Sequence, residues 1–167
     1  MQTANAHVDV ENFAWMLPWL ARGGQPDAQG FRSLERAGVS FIVSLRERDE
    51  SADVNRYTRR ATFVHIPVRN DFAPTDEQAL RWLDLCAEHA SNSKLYVHCH
   101  AGHGRTSTFC ILVRLAQHGD LNAAIREERR YGFDPDNKHK RQYEFLRSFD
   151  ERLRNGTLAA PPLPGKP

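Results

Sequence analysis

Five residues, Gly102 and Gly104 among them, separate Cys99 from Arg105. Residues 95–97 before this stretch form a short apolar run that reads as a buried strand, and residues 108–116 after it read as a buried helix. A strand, a glycine-bearing loop and a helix N-terminus together make an anion site. Successive backbone N–H groups turn inward, and the positive end of the helix dipole lies behind them. A thiol at the mouth of such a loop is favoured as thiolate, its nucleophilic form. The Arg105 guanidinium adds a planar fork of donors that grips two phosphate oxygens. An anion nest with a nucleophile at its centre implies phosphoryl transfer to cysteine. A buried structural cysteine would leave the two glycines without purpose. A zinc site built from His98, Cys99, His100 and His103 has the wrong spacing, and inward N–H groups repel cations, so no metal is expected.

Written as His98-Cys99, five residues, Arg105-Thr106, the stretch resembles the phosphate-binding loop of the cysteine-dependent protein tyrosine phosphatases, H-C-x5-R-[S/T]. Over roughly residues 15–150 the chain resembles the dual-specificity branch of that superfamily, including an Arg22-Gly23-Gly24-Gln25-Pro26 turn. Cys99 is then the nucleophile, and His100, Ala101, Gly102, His103, Gly104 and Arg105 cradle the phosphoryl oxygens. Thr106, or else Ser107, donates a hydroxyl to the thiolate, as the matching position does in the family. His98 orients the loop and tunes the thiol rather than acting as a base. No cofactor is required.

The proton for the leaving group must come from elsewhere, because a carboxylate beside Cys99 would disfavour the thiolate. Asp71 is the expected acid, on a loop at about the place where related dual-specificity enzymes keep theirs. Asp76 is the alternative, disfavoured because the first turn of a helix stabilises its charged form. The W-P-D acid loop of larger tyrosine phosphatases is absent.

The elements that must position these groups follow from local signals. Residues 13–16 and 19–22 read as short strands parted at Pro18. Asp27 caps a helix running to about Ala37, with Phe31 and Leu34 facing inward and Gly38 ending it. Residues 39–45 and 62–68 read as strands, with a short helix between them. Arg46 is a weak pocket candidate, and His65 reads as a satisfied strand histidine. Thr75 and Gln78 form a capping box for a helix expected to place Leu80, Leu83, Ala87 and Ala90 on one face, with Trp82 and Cys86 beside them. After the central helix, residues 121–131 carry Leu121, Ile125 and Glu128 on one face, with Arg126, Arg129 and Arg130 on a solvated one. A last helix over residues 137–154 buries Tyr143, Leu146, Phe149 and Leu153. This order implies an α/β single domain. The resemblance implies a twisted mixed sheet of about five strands flanked by helices. Residues 1–12 are expected to be loosely ordered, 13–154 to form the catalytic domain, and 155–167 to be a flexible Pro-rich tail.

At 167 residues the chain fits one domain with a sizeable core, and a net charge of +2 makes no electrostatic case for nucleic acid. Three cysteines without C-x-x-C spacing suit a reducing cytoplasm, and neither a leader peptide nor a membrane span is expected. The expected partner of this monomer is a phosphorylated protein, tyrosine or serine/threonine. An inositol phosphate or phosphoinositide is the alternative, because His100 and His103 stand where phosphoinositide phosphatases of the family carry lysines. An inactive phosphate-binding module is the remaining alternative.

Overall fold

Strands β1 (Ala14–Leu17), β2 (Leu20–Gly23), β3 (Phe41–Ser44), β4 (Thr62–His65) and β5 (Leu95–His98) form one mixed sheet in the order β1-β2-β5-β3-β4. The computed structural model describes residues 6–165. Only the β1–β2 pair is antiparallel. β5 lies between two parallel strands and is buried along its whole length, as sheets covered on both faces require. Gly23, Ser44 and His98 pair at one level of the sheet. The segments that follow β2, β3 and β5 therefore leave from one edge, which is where open α/β sheets bind ligands.

Side-chain alternation on these strands divides the interior into two cores. Ala21, Ile42 and Tyr96 face α1 (Ala28–Arg36) and α2 (Ser51–Tyr57), whose Phe31, Leu34 and Val54 complete the smaller core. Leu20, Val43, Leu95 and Val97 face the larger core, built with α3 (Asp76–His89), α4 (Gly104–Ala116), α5 (Leu121–Arg129) and α6 (Lys140–Arg154). α4 is buried nearly all round and packs on α3, α5 and α6. This is the α/β single-domain mixed sheet expected from the sequence.

Local chemistry sets several boundaries. The Asp27 carboxylate accepts from the Gly30 N–H at 2.8 Å. Thr75 and Gln78 make both halves of the capping box, at 3.1 Å each. The buried face of α3 differs from expectation: it is Ala79, Trp82, Leu83 and Cys86, with Leu80 and Ala87 only half-buried. The Trp82 indole anchors this face: its Nε1 donates to the Phe109 carbonyl at 2.9 Å while its ring packs against Phe109. In α6, Leu146 and Phe149 are buried, whereas Tyr143 and Leu153 lie half-exposed at the margin of the core.

Both terminal segments lie against the domain where loose chain was expected. Val8 is buried in the smaller core, the Asp9 N–H donates to Ser33 Oγ at 2.9 Å, and the Glu11 carbonyl accepts from the Gly24 N–H at 2.9 Å. At the other end, Leu158, Ala160 and Leu163 pack on the larger core, and Gln117 Nε2 donates to the Pro164 carbonyl at 2.7 Å. Apolar residues spaced along each segment supply contacts that polar composition obscured. Residues 1–5 and 166–167, where the remainder of those expectations fall, lie outside the described residues.

One buried ion pair ties β2 to α5. Arg22 and Glu128 are both almost fully inaccessible, and Arg22 Nη1 donates to Glu128 Oε2 and, at 3.3 Å, to Ser107 Oγ. Burial pushes the Glu128 carboxyl above its ordinary range, and the Arg22 guanidinium pulls it back. Removing one partner of such a pair strands a buried charge, at about 3–5 kcal/mol. Arg22→Met should therefore lower stability by roughly that amount, read as a shift in the urea midpoint. The double variant Arg22→Met/Glu128→Leu should recover most of the loss. Additive losses would show that the pair does not act as a unit.

Candidate active site

The loop between β5 and α4 has its carbonyls tied backward. The Gln25 N–H donates to the His100 carbonyl at 2.7 Å. Arg22 Nη2 donates to the Gly102 carbonyl, which also accepts from Asn12 Nδ2 at 3.1 Å. The Ser107 N–H takes the His103 carbonyl at 3.2 Å. In a trans peptide the N–H points opposite to the C=O, so carbonyls held behind the loop turn the following N–H groups to its front. Among the described residues, none of the backbone N–H groups of residues 100–106 donates a hydrogen bond within the protein. Among the described residues no side chain caps α4, so the last three of these donors, those of residues 104–106, belong to its open N-terminus, whose dipole is aimed at the same spot.

Gly102 makes the reversal possible. Its φ is +75°, and a Cβ there would lie 2.7 Å from the Gly23 backbone. Only glycine meets both conditions without strain.

The front of the loop lines a small cavity of about 150 Å³ bounded by Asn70, Asp71, Cys99, His100, Ala101, His103, Gly104, Arg105, His139 and Gln142. Cys99 is 3% exposed, and its Sγ accepts from Thr106 Oγ1 at 3.0 Å. Arg105 is held at the wall by the Val68 carbonyl at 2.9 Å, with the Leu45 carbonyl at 3.5 Å. These carbonyls follow β4 and β3, so three strand ends contribute to one cavity.

His98 faces away from the cavity. Its ring stacks on Tyr96 at 5.6 Å, its Nδ1 lies 2.9 Å from the Cys99 carbonyl, and its Nε2 is 3.8 Å from Glu50 Oε2. Glu50 in turn accepts from Ser44 Oγ at 2.5 Å. Burial lowers the His98 pKa against the pull of the Cys99 carbonyl and Glu50. With His98 behind the loop and the Cys99 sulfur in front, the four residues weighed for zinc do not converge.

The two carboxylates weighed as the acid are placed differently. Asp71 lines the cavity and has a φ of +64°, a left-handed conformation that aspartate tolerates better than most residues. Asp76 is outside it, clasped by Arg152 Nη1 at 2.6 Å and Nη2 at 2.8 Å, and this bidentate bond lowers its pKa. Arg46 also lies outside the cavity wall, its Nη1 bound to Gln25 Oε1 at 3.0 Å. His65 is satisfied by the Arg46 carbonyl at 2.7 Å. Cys86 and Cys110 belong to the core, where burial pushes both thiols well up.

Sequence reasoning missed Arg22, Asn12, Gln25, His139 and Gln142. Two signals were available: an arginine closing a buried strand, since a charge there needs a partner, and the Arg22–Pro26 turn, which named Arg22 and Gln25 without giving them a role in the site. The others join the site only through contacts distant in sequence.

Comparison with known proteins places this geometry. The chain is 28% identical over 140 residues to the dual specificity protein phosphatase TpbA of Pseudomonas aeruginosa strain UCBPP-PA14, covering 83% of this chain and 63% of that relative. The chain thus spans under two thirds of that protein's length. The crystal structure of P. aeruginosa TpbA superposes with a TM-score of 0.74 at 24% identity, covering 93% of this chain and 98% of that one. The core catalytic domain of the PP-IP phosphatase SIW14 of S. cerevisiae does so with a TM-score of 0.69 at 17% identity, covering 90% and 95%. These structures share the fold. Residues 9–147 match the family model described as a DSP-PTPase phosphatase fused to NAD+ kinase, and the chain belongs to that family.

Proposed function

We propose that this chain hydrolyses phosphomonoesters through a phosphocysteine intermediate, acting on phosphotyrosine and phosphoserine or phosphothreonine in proteins. The observation that carries the reading is the Cys99 sulfur set among unspent N–H groups, with Thr106 Oγ1 at 3.0 Å and Arg105 on the wall of the same cavity. The family and the TpbA likeness support it.

The Cys99 thiolate attacks phosphorus while the bond to the leaving oxygen breaks, and that oxygen takes the Asp71 proton. The N–H groups of residues 100–106 and the Arg105 guanidinium hold the equatorial oxygens as charge spreads over them. Water then attacks phosphorus, gives its proton to the Asp71 carboxylate and releases phosphate, regenerating the thiolate. The Thr106 hydroxyl stabilises that departing sulfur. His98, fixed between Tyr96 and Glu50, holds the start of the loop. Asp76 suits the acid role poorly, because Arg152 holds it ionised. The chemistry needs a reduced thiol, which favours a reducing compartment such as the cytoplasm.

A polyanionic substrate such as an inositol phosphate is the second reading. It is favoured by the imidazoles of His100 and His103 on the cavity wall.

Cys99→Ser should abolish phosphate release from phosphotyrosine and phosphothreonine peptides; turnover near wild type would remove Cys99 as nucleophile. Asp71→Ala should cut kcat by about 10²–10⁴-fold on alkyl phosphates and far less on aryl phosphates with good leaving groups. If Asp76→Ala produces that leaving-group dependence instead, the acid is reassigned. Running the same panel with inositol hexakisphosphate ranks the two substrate classes.

A further inference from the structure

His139 is the buried titratable group on the cavity wall that the mechanism above leaves unused. It precedes α6 and is only 8% exposed. Its ring lies parallel to Phe133, at 3° and 5.4 Å, and occupies the space a side chain on Gly104 would fill: a Cβ there would come within 2.6 Å of His139 Cδ2. Phe133 behind the ring and the first residue of α4 beside it fix the plane of the imidazole.

The tautomer is fixed as well. The Asp134 backbone N–H donates to His139 Nδ1 at 2.9 Å, so Nδ1 must be the unprotonated nitrogen. The ring proton is then on Nε2. The charged and titratable groups facing the ring are Asp134, His103, Asp71 and Lys138. Burial, aided by His103 and Lys138, holds the imidazole below its ordinary pKa, while Asp134 and Asp71 oppose this. Protonating the ring would also cost the Asp134 bond, since both nitrogens would become donors.

We propose that His139 is a substrate-contacting residue, whose Nε2–H donates a hydrogen bond to an oxygen of the phosphoryl group seated among residues 99–105. The inference rests on the phosphoryl-transfer reading and adds a residue to it. An uncharged donor suits this position on physical grounds. Arg105 already supplies the positive charge that the oxygens need, and Asp71 lines the same cavity. A second cation beside Asp71 would favour its carboxylate and take away the proton it must deliver. A neutral imidazole binds the oxygen without discharging the acid.

Two substitutions separate contact from scaffolding, because each keeps one nitrogen's role. His139→Asn places an acceptor near Nδ1 for the Asp134 N–H and removes the donor to the cavity. His139→Gln places an amide donor near Nε2 and loses the acceptor. Tungstate binding measured by calorimetry should weaken about tenfold in His139→Asn and stay near wild type in His139→Gln. Thermal unfolding recorded alongside should follow the opposite order. Any other order in the binding measurement, equal loss in both included, overturns the contact. The readout does not depend on turnover: a wild-type protein that binds tungstate but hydrolyses nothing sinks the phosphatase reading alone, and one that binds no tungstate sinks both.

Discussion

The active loop depends on where its carbonyls point. A loop after a buried strand has no inherent reason to present all its amides on one side. Here the Gln25 N–H, the Arg22 guanidinium and the Asn12 amide pull the His100 and Gly102 carbonyls backward. The N–H groups that follow them are left facing the cavity. The Arg22–Glu128 pair is costly to bury, and stability alone is a weak reason to keep it. Its geometry supplies another: Glu128 neutralises and aims an arginine whose other nitrogen holds the loop. The donors are therefore preorganised by the protein alone, which is what the proposed stabilisation of a phosphoryl-transfer transition state requires.

The rest of the fold serves this arrangement in layers. β5 delivers Cys99 from the centre of the sheet, and α4 starts where the loop ends, so strand end and helix dipole converge on one point. The ends of β3 and β4 lend the carbonyls that orient Arg105. α3 clamps α4 through Trp82, and α6 with the residue that precedes it brings Gln142 and His139 to the cavity wall. Gln142 Nε2 also donates to the Phe72 carbonyl at 3.3 Å, joining α6 to the loop that carries Asp71. Two guanidinium groups lie over the Phe72 ring, Arg69 at 4.7 Å and Arg141 at 4.4 Å from its centroid. The Asp71 loop is thereby tied to α6 through Phe72, next to an Asp71 of positive φ.

What could be read from the chain beforehand was whatever is encoded locally. The motif from His98 to Thr106 lies in one contiguous stretch, and its strand–loop–helix setting follows from the apolar runs around it. The caps at Asp27 and Thr75 are also short-range chemistry. Periodicity placed Glu128 on an apolar helix face, yet nothing in α5 could name a partner 106 residues away. The same holds for Asn12 and Gln25, whose bonds to the loop cross the whole domain. The inner face of α3 was read correctly at Trp82, Leu83, Cys86 and Ala90, but Ala79 takes the buried place expected of Leu80, and Ala87 is only half-buried. The terminal segments were misjudged because a few apolar side chains within polar sequence suffice to seat them. His139 was expected in the first turn of the last helix, whereas the fold sets it just ahead of α6 and against Gly104.

The central claim is that Cys99 carries the phosphoryl group. Rapid acid quench of Asp71→Ala protein with an aryl phosphate, followed by mass spectrometry of the Cys99 peptide, tests it most directly. The variant leaves thiolate attack on a good leaving group largely intact and slows the activation of water. The account predicts a phosphate adduct on Cys99 that forms in the first turnover and is absent from Cys99→Ser protein. Steady hydrolysis with no adduct on that peptide at any quench time would contradict it.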